Sequence, residues 1–177
     1  GAAYDFGTGF TAAFGAQTTE SAVFTDESGD AYALNAAYTA DNYGVSLTYG
    51  LVENEGLTNE DTYTAVNAYY LPDGSGLPSV SVGYEVGDIG GAAATADEKT
   101  SFFVGLSWDE VGPGSAGIAL GHSSTLESAE EEYQYEAYYS YPVNDGMTIT
   151  PLIFTKENST ADKDDTTGVM VKTSFSF

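Results

Sequence analysis

Hydrophobic and polar residues alternate along most of this chain. The clearest run is the last ten residues. There Val169, Val171, Thr173, Phe175 and Phe177 fall on one face of an extended strand, and Gly168, Met170, Lys172, Ser174 and Ser176 fall on the other. Successive side chains of a strand point to opposite faces, so one side is apolar and the other polar. The pattern predicts ten strands, over 3–16, 31–40, 43–52, 62–71, 79–86, 100–109, 116–123, 132–141, 147–156 and 168–177. In the third, Val45, Leu47, Tyr49 and Leu51 oppose Ser46, Thr48 and Gly50.

The segments between these strands are of two kinds, and they alternate. Short turns carry Asp41 and Asn42, Pro72 to Gly76, Val111 to Gly114, and Asn144 to Gly146, residues that favour tight reversals. Longer connections over 18–30, 53–61, 87–99, 123–131 and 157–166 hold most of the 27 acidic residues. In an up-and-down sheet this order puts every long loop on one edge and every short turn on the other. Transmembrane β-barrels have that asymmetry.

Alternation alone does not choose between a membrane barrel and a soluble sandwich or lipocalin-type barrel. The aromatics carry the choice further. Tyr32, Tyr49, Tyr70, Trp108, Tyr133, Tyr141 and Phe177 sit on the apolar face near predicted strand ends, where a girdle meets lipid headgroups. The opposite face is mostly Gly, Ala, Ser, Thr and Asn. Such a face is too small and polar to fill a soluble core and suits a wet lumen. The expected fold is therefore all-β, an antiparallel up-and-down transmembrane β-barrel in the outer membrane of a Gram-negative-type bacterium. Its closing amphipathic strand with a terminal aromatic fits presentation to barrel-assembly machinery and insertion among outer-membrane lipids.

Composition sharpens this picture. The net charge is −23, from 27 acidic residues against four lysines and no arginine. Nucleic acid is excluded as a partner, because binding it requires Lys and Arg to neutralise phosphates. Cation attraction is favoured. With no cysteine, disulfides and thiolate metal sites are out. No apolar run approaches the ~18 residues of a transmembrane helix. The chain opens directly in strand pattern, with no signal peptide visible at Gly1, so a mature protein or a fragment of one is expected.

With the strands placed, the last third resembles the cyanobacterial outer-membrane porins, of the carbohydrate-selective and iron-uptake porin family. The stretches that carry the resemblance are Ser101 to Trp108, Gly117 to Gly121, Tyr138 to Phe154 and Gly168 to Phe177. The most specific is the turn and strand from Val143 to Pro151; before residue 100 the likeness is generic. The resemblance implies a passive channel, a homotrimer, and a barrel of about sixteen strands preceded by an S-layer-homology domain. Residues 1–177 hold neither that domain nor sixteen strands. The expectation is therefore one barrel domain, either the C-terminal ten strands of a larger barrel or a shortened relative. Cut from a larger barrel, such a sheet would expose unpaired edges.

Six polar residues on the lumen face are the candidate pore lining: Asp5, Asn35, Asn67, Glu85, Glu136 and Lys172. An unpaired carboxylate in a narrow wet pore lowers the energy of cations and raises that of anions. The blander reading is that these groups only solvate the wall. Lys172 either pairs with one of the acids or forms an anion-attracting constriction. Tyr49, Tyr70, Trp108, Tyr133, Tyr141 and Phe177 are the candidate membrane-interface aromatics.

The acidic loops around Asp26 to Asp30, Glu130 to Glu132 and Asp162 to Asp165 lack EF-hand spacing. They read as a solvated, electronegative mouth, and no metal or other cofactor is expected. His122, the only histidine, reads as incidental at a strand end. No nucleophile, base and acid can be assembled around it, and Glu85 and Glu136 sit on separate strands with nothing to tune them as a hydrolytic pair. An enzyme is not expected. The expected function is an outer-membrane porin for inorganic ions and small solutes, such as sugars or iron, with a preference for cations. The rivals are a non-transporting envelope barrel, serving as structural protein, adhesin or phage receptor, and a soluble secreted barrel that binds a small ligand.

Overall fold

In a computed structural model the chain forms eleven antiparallel strands in one sheet, ordered as they occur in the sequence. The structure describes residues 1–18, 29–53, 60–74, 76–90, 97–160 and 163–176. The strands are β1 (Ala2–Asp5), β2 (Phe10–Thr18), β3 (Asp30–Thr39), β4 (Tyr43–Glu53), β5 (Glu60–Tyr70), β6 (Ser79–Asp88), β7 (Glu98–Val111), β8 (Gly114–Leu126), β9 (Tyr133–Asn144), β10 (Met147–Lys156) and β11 (Thr166–Phe175). No described residue is helical. β1 and β11 are the two ends of the strand order.

Ten strands become eleven because the stretch 3–16 is a hairpin, not one strand. Gly7 (φ 71°) and Gly9 (φ 85°) adopt left-handed backbone, which an extended chain does not contain. Asp5 Oδ1 accepts the Gly7 N–H at 2.8 Å, and the Phe6 N–H donates to the Phe10 carbonyl at 3.0 Å. The two glycines happen to fall on alternate positions, so they pass as part of a polar face when only the pattern is read. The extra turn precedes the first long connection and so continues the alternation of connection types. One length departs from it: the turn 71–78 is longer than the connection 54–59, because β4 and β5 run closer together than the pattern predicts.

The chain divides into two compact units: Gly1–Ala68 with Gly83–Ser101 and Ser124–Glu130, and Tyr69–Val82 with Phe102–Ser123 and Glu131–Phe177. In the first, the register pairs Phe14 with Leu34 and Leu34 with Tyr49, and pairs Ala36 with both Ala12 and Leu47. These make the apolar face. Ala13 pairs with Asn35 and Asn35 with Thr48, while Ala33 pairs with Gly15 and Gly50, and these make the polar one. In the second, Ile118 pairs with Ala137, Ala137 with Ile153 and Ile153 with Val169 on the apolar face. Glu136 lies opposite Ala119 and Phe154 on the polar face, and Phe154 opposite Gly168.

The accessibility of the two faces is the reverse of a soluble protein. Among the described residues no apolar side chain is buried, and 27 large apolar ones stand exposed. Along β4, Tyr43, Val45, Leu47 and Tyr49 are exposed while Gly44, Ser46, Thr48 and Gly50 are sheltered. Apolar burial at ~25 cal/mol per Å² is the main term that holds soluble domains together. Here the backbone ladder orders the chain, and the apolar side of the described strands stays largely exposed.

Candidate functional site

Four of the six candidate lining residues share the polar face of the first unit. Asp5 pairs with Thr11 at the end of β1, and its carboxylate holds the β1–β2 turn. Asn35 donates from Nδ2 to Thr48 Oγ1 at 2.7 Å and to the Leu47 carbonyl at 3.3 Å, which ties β3 to β4. Asn67 leans over Gly83, where a Cβ would come within 2.7 Å of its Oδ1. The Tyr63 ring covers Gly87 in the same way, at 2.7 Å, and its Cβ would stand 3.8 Å from one on Gly50. Glu85 falls between Gly83 and Gly87 on β6, on the side that Asn67 and Tyr63 cover. Glycines on this face thus make room for the larger polar groups on neighbouring strands.

The other two lie in the second unit, on the polar face of β8 to β11. Glu136 makes no hydrogen bond or ion pair with any described residue, because its cross-strand partners are Ala119 and Phe154. Lys172 lies opposite Thr150. It is four residues along β11 from Gly168, roughly 13 Å at the rise of a strand. That separation keeps it from Glu136, and Lys172 pairs with no described acid. The lysine that finds a partner is Lys156, with Nζ 3.2 Å from Glu132 Oε2.

The interface aromatics occupy different settings. Tyr49, Tyr70 and Tyr141 are exposed on the apolar face, Tyr70 as the last residue of β5 and Tyr49 well inside β4. Trp108 is half-buried against the turn that carries Pro72 and Leu77. Tyr133 belongs to a cluster instead. The His122 ring packs edge-on to Phe102 at 4.9 Å and to Tyr133 at 5.7 Å, and His122 is only 7% exposed. Its Nδ1 lies 2.9 Å from the Ser123 carbonyl, which assigns the donor role to Nδ1, and Nε2 faces Glu131 Oε1 at 3.8 Å. The Tyr133 hydroxyl donates to Glu131 Oε2 at 2.5 Å. Phe177 lies outside the described residues.

A polar strap runs beside this cluster. Glu132 Oε1 accepts the Ser159 N–H at 3.1 Å and the Ser159 hydroxyl at 3.0 Å. Those bonds, the Ser159 N–H first and then the Lys156 ammonium, hold the Glu132 carboxyl below its ordinary 4.5. Glu157 accepts the Tyr133 N–H at 3.2 Å and the Tyr135 hydroxyl at 3.1 Å. Asp165 accepts the Asn158 N–H at 3.1 Å. These acids thereby fasten residues 157–159 onto the start of β9.

The sequence reading did not give four residues the surroundings they have. His122 needs the β8–β9 register, which sets it against Tyr133, before it has an environment. Asp30 is the first residue of β3, only 2% exposed, and accepts the Tyr32 hydroxyl at 3.2 Å. Phe103 and Phe154 stand on the polar face, where the alternation slips. The consecutive pair Phe102 and Phe103 is the visible signal for the first of them. Of the acidic loops, residues 26–28 and 162 lie outside the described residues. Among the described residues no three His, Asp or Glu side chains gather to hold a metal ion.

Comparison with protein-family models, with curated proteins and with solved structures finds no match for this chain.

Proposed function

We propose that this chain is a transmembrane β-barrel channel of a bacterial outer membrane, passing inorganic ions and small solutes by diffusion and favouring cations. The reversed accessibility carries this reading. A face rich in Tyr, Phe, Val, Ile and Leu stays open, and a face of Gly, Ala, Ser, Thr and Asn is sheltered. In water the open face would drive aggregation; in lipid it is the stable arrangement. The likeness of residues 100–177 to cyanobacterial porins supports the same reading, and with it a trimer and closure with further strands.

The cation preference follows from the wall. Glu85 and Glu136 stand on polar faces, and Glu136 has no compensating partner among the described residues, so a cation nearby gains what an anion loses. The test is single-channel conductance of the detergent-purified protein in a planar bilayer under a KCl gradient. Discrete steps with a reversal potential of the cation sign are expected. Silence from verified, inserted protein would replace the channel with a structural or receptor barrel.

A further inference from the structure

Aromatic rings interrupt the polar face of the second unit. Phe103 on β7 and Phe154 on β10 put aromatic rings among small and polar neighbours. Between them run β8 and β9, which on this face contribute Ala119 and Gly121 as a shallow floor and Gln134 and Glu136 as long polar side chains. The result is a cleft of about 460 Å³. Gly121 is part of its construction: a Cβ there would overlap the Phe102 carbonyl oxygen and come within 3.2 Å of Phe103 Cα. The Phe103 ring lies along its own strand toward Gly105, and the Phe154 ring lies over Gly168.

The charge balance of this cleft is unequal. Lys156 stands at its rim, but its ammonium is held by Glu132, which also accepts two hydrogen bonds from Ser159. Glu136 has neither a hydrogen bond nor an ion pair among the described residues. An uncompensated carboxylate therefore sits between two aromatic side chains in a space that falls within the ~300–1,000 Å³ of small-molecule sites. A hydrated metal ion would find one carboxylate and two phenyl rings, which is a poor set of oxygen ligands. A neutral sugar would leave the carboxylate without a counter-charge. A molecule with an apolar body and a positive head satisfies both features, because its charge meets Glu136 and its methyl or methylene groups meet the rings.

We infer that this cleft binds small organic cations, of the alkylammonium class, with Glu136 as the counter-ion and Phe103 and Phe154 as the apolar walls. The inference rests on the channel reading in one respect, that the polar face is wetted and reachable by solutes.

Choline and its uncharged isostere 3,3-dimethylbutan-1-ol serve as probes, titrated by NMR or calorimetry into the full chain folded in detergent. Saturable choline binding is expected, with the isostere binding more weakly by up to about fivefold, the scale of an exposed charge pair. Glu136→Gln is expected to weaken choline by a similar factor. Phe154→Leu is expected to weaken it by about two- to fivefold, as for an exposed ring and cation. Equal binding of the isostere, unchanged choline binding in E136Q, or stronger binding of glucose than of choline would each overturn the site. Because this binding is read without ion flow, the two readings fail separately. Choline binding with no conductance keeps the site and removes the channel, and conductance with no choline binding does the opposite.

Discussion

Gly9 and Thr39 meet backbone to backbone. The Thr39 N–H donates to the Gly9 carbonyl at 2.9 Å, and a Cβ on Gly9 would overlap the Thr39 carbonyl oxygen. Gly9 also has φ 85°, so an L side chain there meets strain and collision together. Gly7 has φ 71° but nothing within 4 Å of a Cβ. Gly9→Ala should therefore cost about 2–4 kcal/mol, against about 1–2 for Gly7→Ala, which carries the left-handed penalty alone. Thermal unfolding of the detergent-folded variants measures both. Equal losses would mean that the close approach to β3 does not matter.

Leu47 and Thr48 are neighbours on β4 with opposite surroundings, Leu47 exposed and Thr48 sheltered and hydrogen-bonded to Asn35. If lipid bathes the apolar face, Leu47→Lys should destabilise the inserted protein by about 2–4 kcal/mol at mid-bilayer depth. Thr48→Lys on the wetted face should cost far less. Urea unfolding from lipid vesicles reads the difference. A soluble protein would reverse the order, tolerating lysine at the exposed Leu47.

Replacing Glu85 and Glu136 together by glutamine should lower the cation preference, because both carboxylates stand on polar faces and Glu136 is uncompensated. The reversal potential in a KCl gradient should move toward zero. Lys172→Gln should move it the other way, since this lysine balances no described acid. A reversal potential unchanged in both variants would leave these charges as wall solvation and nothing more.

Glu132 links stability of the loop strap to pH. Hydrogen bonds from Ser159 and the charge of Lys156 favour its ionised form, so its carboxyl titrates below 4.5 in the folded chain and near 4.5 when the strap is undone. A depressed folded value gives stabilisation that is complete above 4.5 and lost as the pH falls through the lower folded value. Protection of the Ser159 amide against hydrogen exchange, corrected for intrinsic rate, should therefore hold at neutral pH and decline in the acid range. In Glu132→Gln that acid-induced decline should disappear. Protection in the wild type that is flat from neutral to strongly acid pH would remove Glu132 from the strap.

Much of the fold is local chemistry and was legible. The period of two along 43–52, with Val45, Leu47 and Tyr49 on one side and Ser46, Thr48 and Gly50 on the other, reappears as the two faces of β4. The turns at Asp41, Pro72, Gly112 and Asp145 follow from residues that suit tight reversals. The hairpin at Gly7 and Gly9 escaped because backbone φ leaves no mark on a hydrophobic pattern. The setting of Lys172 was not legible either, because it depends on register, and register sets it opposite Thr150.

The sequence by itself determined that this chain makes strands, which face of each is apolar, and that its net charge is −23. Those properties belong to single residues and their nearest neighbours in the chain. The tertiary structure decided which faces are open, which acid is compensated and which is not, and where aromatic rings flank a carboxylate. His122 acquires Phe102, Tyr133 and Glu131, Glu132 acquires Lys156 and Ser159, and Glu136 is left with no partner among the described residues. The physical reason is that hydrogen bonds, ion pairs and ring contacts act over a few ångströms, and only the pairing of strands brings residues ten to thirty positions apart within that range.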